Sequence, residues 1–138
     1  MNKQHLQIGN LVSYHGQPVQ VRTVTRHKVG VLTSKEHTQL SYARLCEIES
    51  IPITKEFLYK NGFIRVVDKL DGYITFYGKE IDSNFLQIRF GISNTSKDHV
   101  VCNVDNPDRC SIANADIRHI HQLQNLLNLM GIKSVFEI

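Results

Sequence analysis

Short strand-forming runs, interrupted at close intervals, make up residues 1–50. Val, Tyr, Thr and Leu are concentrated in the runs NLVSYHG, PVQVRTVT, VGVLT and TQLSYARLCEI, a composition typical of strands. Gly16, Pro18, Gly30 and the polar SKEH break up this part of the chain. Because strands this short cannot bury one face as a flat sheet, closure into a small barrel is favoured. We therefore predict a small N-terminal SH3-like β-barrel lobe over residues 1–50.

The remainder of the 138-residue chain predicts an α+β lobe over residues 51–138. Its first element is a linker helix in IPITKEFLYKNGF, which Thr54 can cap and Gly62 can end. Four strand-forming runs follow, IRVV, YITFYGK, FLQIRFGI and HVVCNV, with the turn-like DKLDG, IDSN and SNTSKD among them. In FLQIRFGI an apolar and a mixed face alternate, which indicates an antiparallel sheet with one face open to water.

The segment IRHIHQLQNLLNLMGI, residues 117–132, predicts a C-terminal helix that covers this antiparallel sheet. Asn114 or Asp116 can cap it, Gly131 ends it, and KSVFEI predicts a final strand. At about 100° per residue, one broad apolar face contains Ile117, Ile120, Leu123, Leu126, Leu127 and Met130.

Two histidines in this helix raise the question of a metal site. His119 falls inside the apolar arc, and His121 lies about 160° away on the helix. One helix cannot direct both side chains at the same ion. We therefore predict no metal at this position.

His121 shares a polar edge of the helix with three amides at i+3, i+4 and i+7: Gln124, Asn125 and Asn128. This edge can bind a ligand, or it can join the helix to a neighbouring strand. The structural alternative is the commoner use of buried amides and imidazoles, which usually satisfy backbone groups. The four residues are the candidate ligand-binding site.

The formal net charge of +3 comes entirely from residues 1–50, which hold six Lys and Arg against three Glu. Arg22, Arg26 and Lys28 lie in or beside TVTRHKVG, which predicts a hairpin tip. A basic tip can contact phosphates. A solvated turn is the favoured interpretation, because only Tyr14 and Tyr42 are available for base stacking in this lobe.

Three segments have a more distinctive pattern: the opening QIGNLVSYHG, the middle element IPITKEFLYKNGF and the closing IRHIHQLQNLLNLMGI. Together they resemble a family of small uncharacterised proteins spread through Bacteroidetes genomes and their phages. The most specific similarity is at residues 120–126, where IHQLQNL stands beside the family's Val-His-Gln-Leu-Gln-Asn-Leu. After Leu126 the family often continues Tyr-Phe-Ala-Leu-Thr-Gly-Glu-Glu-Leu, and LNLMGIKSV differs from it. The resemblance implies a phage or mobile-element setting.

Composition and motifs argue against several classes of protein. No stretch approaches about 18 apolar residues, and MNKQHLQIGN lacks the core of a signal peptide, so we predict a cytoplasmic protein, in the host cytoplasm if phage-encoded. Cys46, Cys102 and Cys110 have no CxxC spacing and suit reduced thiols. No Ser, Cys or carboxylate lies in a catalytic motif, and no glycine-rich phosphate loop is present, so we predict no enzymatic activity and no cofactor.

Three functional hypotheses follow from these observations. The first is a non-catalytic accessory protein that binds a host protein or a small-molecule ligand, of the host-interaction or anti-defence type. The second is a nucleic-acid-binding protein that uses the basic tip of the barrel, and the third is an enzyme built around His121. We rank the accessory protein first, predict no membrane partner, and leave the oligomeric state open.

Overall fold

The fold is described from a computed structural model, which covers residues 6–33, 39–68, 74–91, 100–108, 110–133 and 136–137. The protein is α+β, with two antiparallel five-stranded sheets and a C-terminal helix. It divides into two compact units, one formed by Met1–Pro52 and His119–Leu126, the other by Ile53–Arg118 and Leu127–Ile138. The predicted turns SKEH and SNTSKD and most of DKLDG lie outside the described residues.

The first unit contains a sheet with the strand order β4-β3-β2-β1-β5. Its strands are β1 (Leu11–Tyr14), β2 (Gln17–Val24), β3 (Val29–Leu32), β4 (Leu40–Ala43) and β5 (Ile48–Glu49). A 3-10 helix, Leu45–Glu47, precedes β5. Each of the four strand-forming runs contains a strand, so that part of the prediction is confirmed.

Two tight connections and one hydrophobic cluster organise this sheet. His15 and Gly16, with φ of 50° and 75°, form the two-residue turn between β1 and β2, where a tight hairpin requires left-handed backbone. Residues 25–28 join β2 to β3, and the Thr25 N–H donates to the Lys28 carbonyl oxygen at 2.9 Å. The predicted hairpin tip is therefore confirmed. The buried cluster contains Leu6, Val12, Val19, Val21, Val29, Val31, Ala43 and Ile48.

The second unit begins with the predicted linker helix, α1 (Lys55–Lys60). The Thr54 hydroxyl oxygen accepts the Phe57 N–H at 3.1 Å, which satisfies a donor that the first helical turn leaves free. Gly62 follows the helix with φ of 80°, the left-handed position at which helices commonly end. Both predicted ends of this helix are confirmed.

The second sheet has the strand order β10-β9-β8-β7-β6. Its strands are β6 (Ile64–Asp68), β7 (Ile74–Ile81), β8 (Asn84–Phe90), β9 (Val100–Asp105) and β10 (Ser111–Asp116). Asp82 and Ser83, with φ of 49° and 66°, form the turn predicted at IDSN. One face of the sheet is buried at its centre, where Leu86, Ile88, Cys102 and Val104 are fully buried.

The last helix, α2, comprises Ile120–Leu129 and does not begin at Ile117 as predicted. Asn114 and Asp116 lie in β10, so the prediction that one of them caps the helix is wrong. The segment between β10 and α2 is extended, because Arg118 accepts a backbone hydrogen bond from Ile53 at 2.9 Å. Such tertiary pairing overrides the helix propensity of residues 117–119.

His119 stands at the start of α2 and pairs with Pro52 in an isolated β-bridge. Its N–H donates to Gln122 Oε1 at 3.1 Å, one half of a capping box.

Gly131, with φ of 71°, follows the helix as predicted. Three residues of the predicted apolar face are almost fully buried, Ile120, Leu123 and Leu127. The placement of α2 over the second sheet stays a prediction.

One buried side chain, Asn61, holds the C-terminal residues. Its Nδ2 donates to the carbonyl oxygens of Glu137 at 2.7 Å and Phe57 at 2.9 Å. Its Oδ1 accepts the Glu137 N–H at 2.7 Å, so the Asn61 amide pairs with Glu137 as a backbone peptide group would. Phe136 packs edge-on against Phe57 with ring centroids 5.5 Å apart. The described residues Phe136 and Glu137 form no strand, and for them the prediction of a final strand is wrong.

Candidate ligand-binding site

The outer face of the second sheet, opposite its buried face, presents polar and aromatic side chains. Successive side chains of a strand point to opposite faces, so alternate residues of β8 and β9 share this surface. The register pairs them across the two strands as Phe85 with Asp105, Gln87 with Asn103, and Arg89 with Val101. The outer face therefore combines charged, amide and aromatic groups within a few residues of each other.

Hydrogen bonds connect five side chains of the outer face into what we call the polar row: Arg89, Gln87, Asp105, Asn103 and Ser111. Arg89 Nη2 donates to Gln87 Oε1 at 3.2 Å, and Gln87 Nε2 reaches Asp105 Oδ2 at 3.5 Å. Asn103 Nδ2 donates to Asp105 Oδ1 at 3.0 Å, and the Ser111 hydroxyl donates to Asn103 Oδ1 at 2.7 Å. These bonds orient the amides and restrict their rotamers.

Arg89 is half-buried in this row, and among the described residues its side-chain acceptor is the neutral amide of Gln87. Its guanidinium carbon lies 5.9 Å from the centroid of the Phe76 ring, within the range of a cation–π interaction. Its Nε is buried and has no hydrogen-bond acceptor among the described residues. A half-buried cation whose described contacts are uncharged attracts an anion, because a partly desolvated charge without a counter-ion is costly.

Aromatic rings extend the outer face beside Arg89. Phe76 and Phe85 meet edge to face, with centroids 6.3 Å apart and planes inclined by 88°. Gly78 lies beneath this pair, and a Cβ at that position would come within 2.7 Å of the Phe85 ring. Glycine at residue 78 therefore allows the ring to lie against the strand, and the rings supply an apolar border to the polar row.

The outer face contains two shallow depressions that share Gln87. The first, of about 450 Å³, is lined by Glu80, Phe85 and Asp105 among others. The second, of about 440 Å³, is lined by Arg89, Asn103 and the start of β10. Both volumes lie in the range of small-molecule sites. Among the described lining residues, the charged side chains of the first depression are acidic, and the charged side chain of the second depression is basic.

The helix residues predicted to bind a ligand have different environments. His121 is 3% exposed and Gln124 is 9% exposed, whereas Asn125 is half-buried and Asn128 is exposed. The first three group with the first unit, and Asn128 groups with the second. Ligand binding by this set stays a prediction.

Two of these helix amides are bonded to the residues that precede and begin β1. Gln124 Oε1 accepts the Leu11 N–H at 2.8 Å, and Gln124 Nε2 donates to the Gly9 carbonyl oxygen at 3.2 Å. Asn125 Oδ1 accepts from Asn10 Nδ2 at 2.8 Å. These contacts lie within the first unit and join its helix residues to the start of β1, which is the structural use of the polar edge that the sequence left open.

The basic tip consists of Arg22, Arg26 and Lys28, all of which are exposed. Arg22 lies at a register shift between β2 and β3, and Arg26 and Lys28 lie in the connection that follows. Tyr42 is 59% exposed and pairs in register with Gly30, close to the tip. The tip therefore has an exposed aromatic ring nearby on the neighbouring strand.

The two histidines of the closing segment lie together. Their rings stack with centroids 5.9 Å apart and planes inclined by 18°. The prediction that His119 and His121 point about 160° apart is wrong, because His119 precedes the first helical turn. Their burial is also reversed: His121 is buried, and His119 is half-buried. Within the described residues, no three His, Cys, Asp or Glu side chains lie close enough to hold a metal ion.

The cysteines are all unbridged, and they differ in reactivity. Cys46 and Cys110 are exposed. Burial raises the pKa of the Cys102 thiol to about 12, so this group stays protonated at neutral pH and is a poor nucleophile.

The polar row was not among the sequence predictions. The alternation in FLQIRFGI places Gln87 and Arg89 on one face, and that was the available signal; their partners on β9 depend on strand register.

Comparison with known protein families, curated proteins and solved structures gives no match to this chain. In the part of the chain that the structure describes, no helix has the length and apolar character needed to cross a membrane.

Proposed function

We propose that this chain is a non-catalytic binding protein, and that its ligand site is the outer face of the second sheet. The main support is the half-buried guanidinium of Arg89, which no acid among the described residues neutralises. A small-molecule ligand is favoured over a host protein, since depressions of about 450 and 440 Å³ suit a small molecule.

The remaining features of the row support binding and not catalysis. The amides of Gln87 and Asn103 are oriented by hydrogen bonds, which favours recognition of a polar ligand in one pose. The row consists of a guanidinium, a carboxylate, amides and a hydroxyl, which are groups that hydrogen-bond a polar ligand. The phage or mobile-element setting, and with it the host cytoplasm, rests on the sequence resemblance alone.

Capture of bound molecules tests this proposal. The full chain, Arg89→Gln and the matched control Arg65→Gln would be incubated with a bacterial metabolite extract, washed and analysed by mass spectrometry. Arg65 is an exposed arginine of the same sheet, so its replacement removes an equal charge away from the row. We expect a small molecule that the parent and Arg65→Gln retain and that Arg89→Gln loses. Equal retention by all three proteins, or no retention by any, would refute the proposal.

For the first unit, we propose closure into an SH3-like barrel. Three observations support it: β1 pairs with both β2 and β5, a 3-10 helix lies between β4 and β5, and the register shift at Arg22 bends β2. All five strands bury side chains in or against one cluster. Slow exchange of the backbone amides along both edges of β1 is expected.

A second candidate function is nucleic-acid binding by the basic tip. The observation that favours it is the exposed ring of Tyr42 beside the tip, since bases stack on such rings. Replacement of Arg26 and Lys28 by Ala would then weaken binding and flatten its salt dependence by about one unit per lost phosphate contact. Replacement of Lys55 and Arg65 by Ala, two exposed cations outside the tip, removes the same charge and is the matched control. Absence of micromolar binding at about 150 mM salt would exclude this function.

A further inference from the structure

The two depressions of the outer face have opposite charge. Glu80 and Asp105 line the first, and Arg89 lines the second. Gln87 belongs to both and is hydrogen-bonded to both Arg89 and Asp105. The outer face is therefore a continuous surface with a negative end, a neutral amide centre and a positive end.

We propose that the ligand of this face is a small zwitterion, specifically a free dipeptide, with its carboxylate at Arg89 and its ammonium at Asp105. This inference rests on the proposed function of the outer face. Charge-assisted hydrogen bonds to a guanidinium and to a carboxylate are the strongest that the row can make. A dianion would be repelled by Asp105 and Glu80, and a simple amine would leave the Arg89 charge without a counter-ion.

The spacing of the charges sets an upper limit on the length of the ligand. The Gln87 amide lies between Arg89 and Asp105: it accepts from Arg89 Nη2 at 3.2 Å and donates to Asp105 Oδ2 at 3.5 Å. These two distances and the width of the amide group place Arg89 Nη2 and Asp105 Oδ2 at most about 9 Å apart. An extended chain spans about 3.5 Å per residue, so a dipeptide places its termini about 7 Å apart and a single amino acid about half that. A dipeptide falls within the limit, whereas an extended tripeptide, at about 10 Å, exceeds it.

The centre of the face also suits a peptide group. Gln87 and Asn103 each present an amide with both a donor and an acceptor, at the position where the peptide bond of a dipeptide would lie between its two charged ends. The Phe85 ring and Val101, at opposite ends of the row, can contact the ligand's side chains. This arrangement predicts preference for charged termini and tolerance of apolar side chains.

Isothermal titration at pH 7 tests the inference with glycyl-leucine, its N-acetyl and C-amide derivatives, and free leucine as probes of the full chain. We expect glycyl-leucine to bind at least tenfold more tightly than each of the other three. In Arg89→Gln the free acid and the C-amide should bind equally, and in Asp105→Asn the free amine and the N-acetyl form should bind equally. Arg65→Gln should behave as the parent.

Equal affinity of the parent for glycyl-leucine and its capped forms, or no binding of glycyl-leucine at millimolar concentration, would overturn the inference. The comparison of capped and free peptides uses the unmodified chain, so it does not depend on the folding of a variant. Failure here is separable from failure of the proposed function. If the metabolite extract yields another molecule whose retention requires Arg89, the site stands and the ligand class is wrong; if it yields none, both are wrong.

Discussion

Replacement of Gln124 by alanine provides a sharp test of how α2 is attached to the first unit. Gln124 is 9% exposed, and its amide bridges two backbone groups, the Leu11 N–H at 2.8 Å and the Gly9 carbonyl at 3.2 Å. In Gln124→Ala both lose this partner. The Gly9 carbonyl keeps a weaker one, because Gln20 Nε2 lies 3.5 Å away.

The magnitude follows from these contacts. The Leu11 N–H is left without an acceptor, which costs about 1–3 kcal/mol when the group is buried. The Gly9 carbonyl keeps Gln20 as a donor, so loss of its bond to Gln124 costs about 0.5–1.5 kcal/mol. We expect the free energy of unfolding to fall by about 2–4 kcal/mol, a large part of the 5–15 kcal/mol typical of a folded protein. The matched control is Asn128→Ala on the exposed side of the same helix, which should stay within about 0.5 kcal/mol of the parent.

Urea unfolding followed by circular dichroism measures the global effect, and hydrogen exchange of the Leu11 amide measures the local one. We expect the midpoint to fall for Gln124→Ala only, and the Leu11 amide to exchange faster even where the rest of the chain stays folded. An unchanged midpoint together with a still protected Leu11 amide would show that Gln124 does not hold β1.

Three further predictions follow from the packing. Gly78→Ala should lower stability by about 1–3 kcal/mol in thermal unfolding, since the added methyl meets the phenyl ring above it. Burial raises the pKa of the Cys102 thiol from 9.0 to about 12; the unfolded chain ionises first, so stability should be constant below pH 9 and fall as the pH rises toward 12. Cys102→Ala should remove that loss, and Cys46→Ser should not. Asn61→Asp keeps the acceptor for the Glu137 N–H but loses both donated bonds, so we expect a loss of about 2 kcal/mol or more and faster exchange of the Glu137 amide.

Local patterns in the sequence were sufficient for most of the secondary structure. The hairpin tip at residues 25–28 and the ends of α1 follow from nearby residues alone, because turn and cap residues act on their own backbone. Thr54 and Gly62 show this directly, as both occupy the positions that their chemistry predicts. The same holds for Gly131 after α2.

The start of α2 shows where local pattern is insufficient. Residues 117–119 continue the helical periodicity, yet backbone pairing with residues 51–53 and with Val100 keeps them extended. The helix wheel was applied to His119, which lies outside α2, so its predicted position was wrong. His121 does lie in α2 on the polar edge, but that edge is buried at His121 and Gln124. A helix wheel applies only to residues within the helix, and distant backbone partners decide here which residue is the first.

The candidate site depended on long-range register in the same way. Strand alternation in the sequence puts Gln87 and Arg89 on one face, because period-two geometry is a property of a single strand. That Asn103 and Asp105 lie beside them follows from the pairing of β8 with β9, and a shift of one residue would turn those side chains to the other face. Periodicity and helix caps are local properties, so the sequence alone predicts them. The charges and amides of the polar row meet only because two strands separated in sequence pair in one register. Burial of the opposite face of the sheet sets that register.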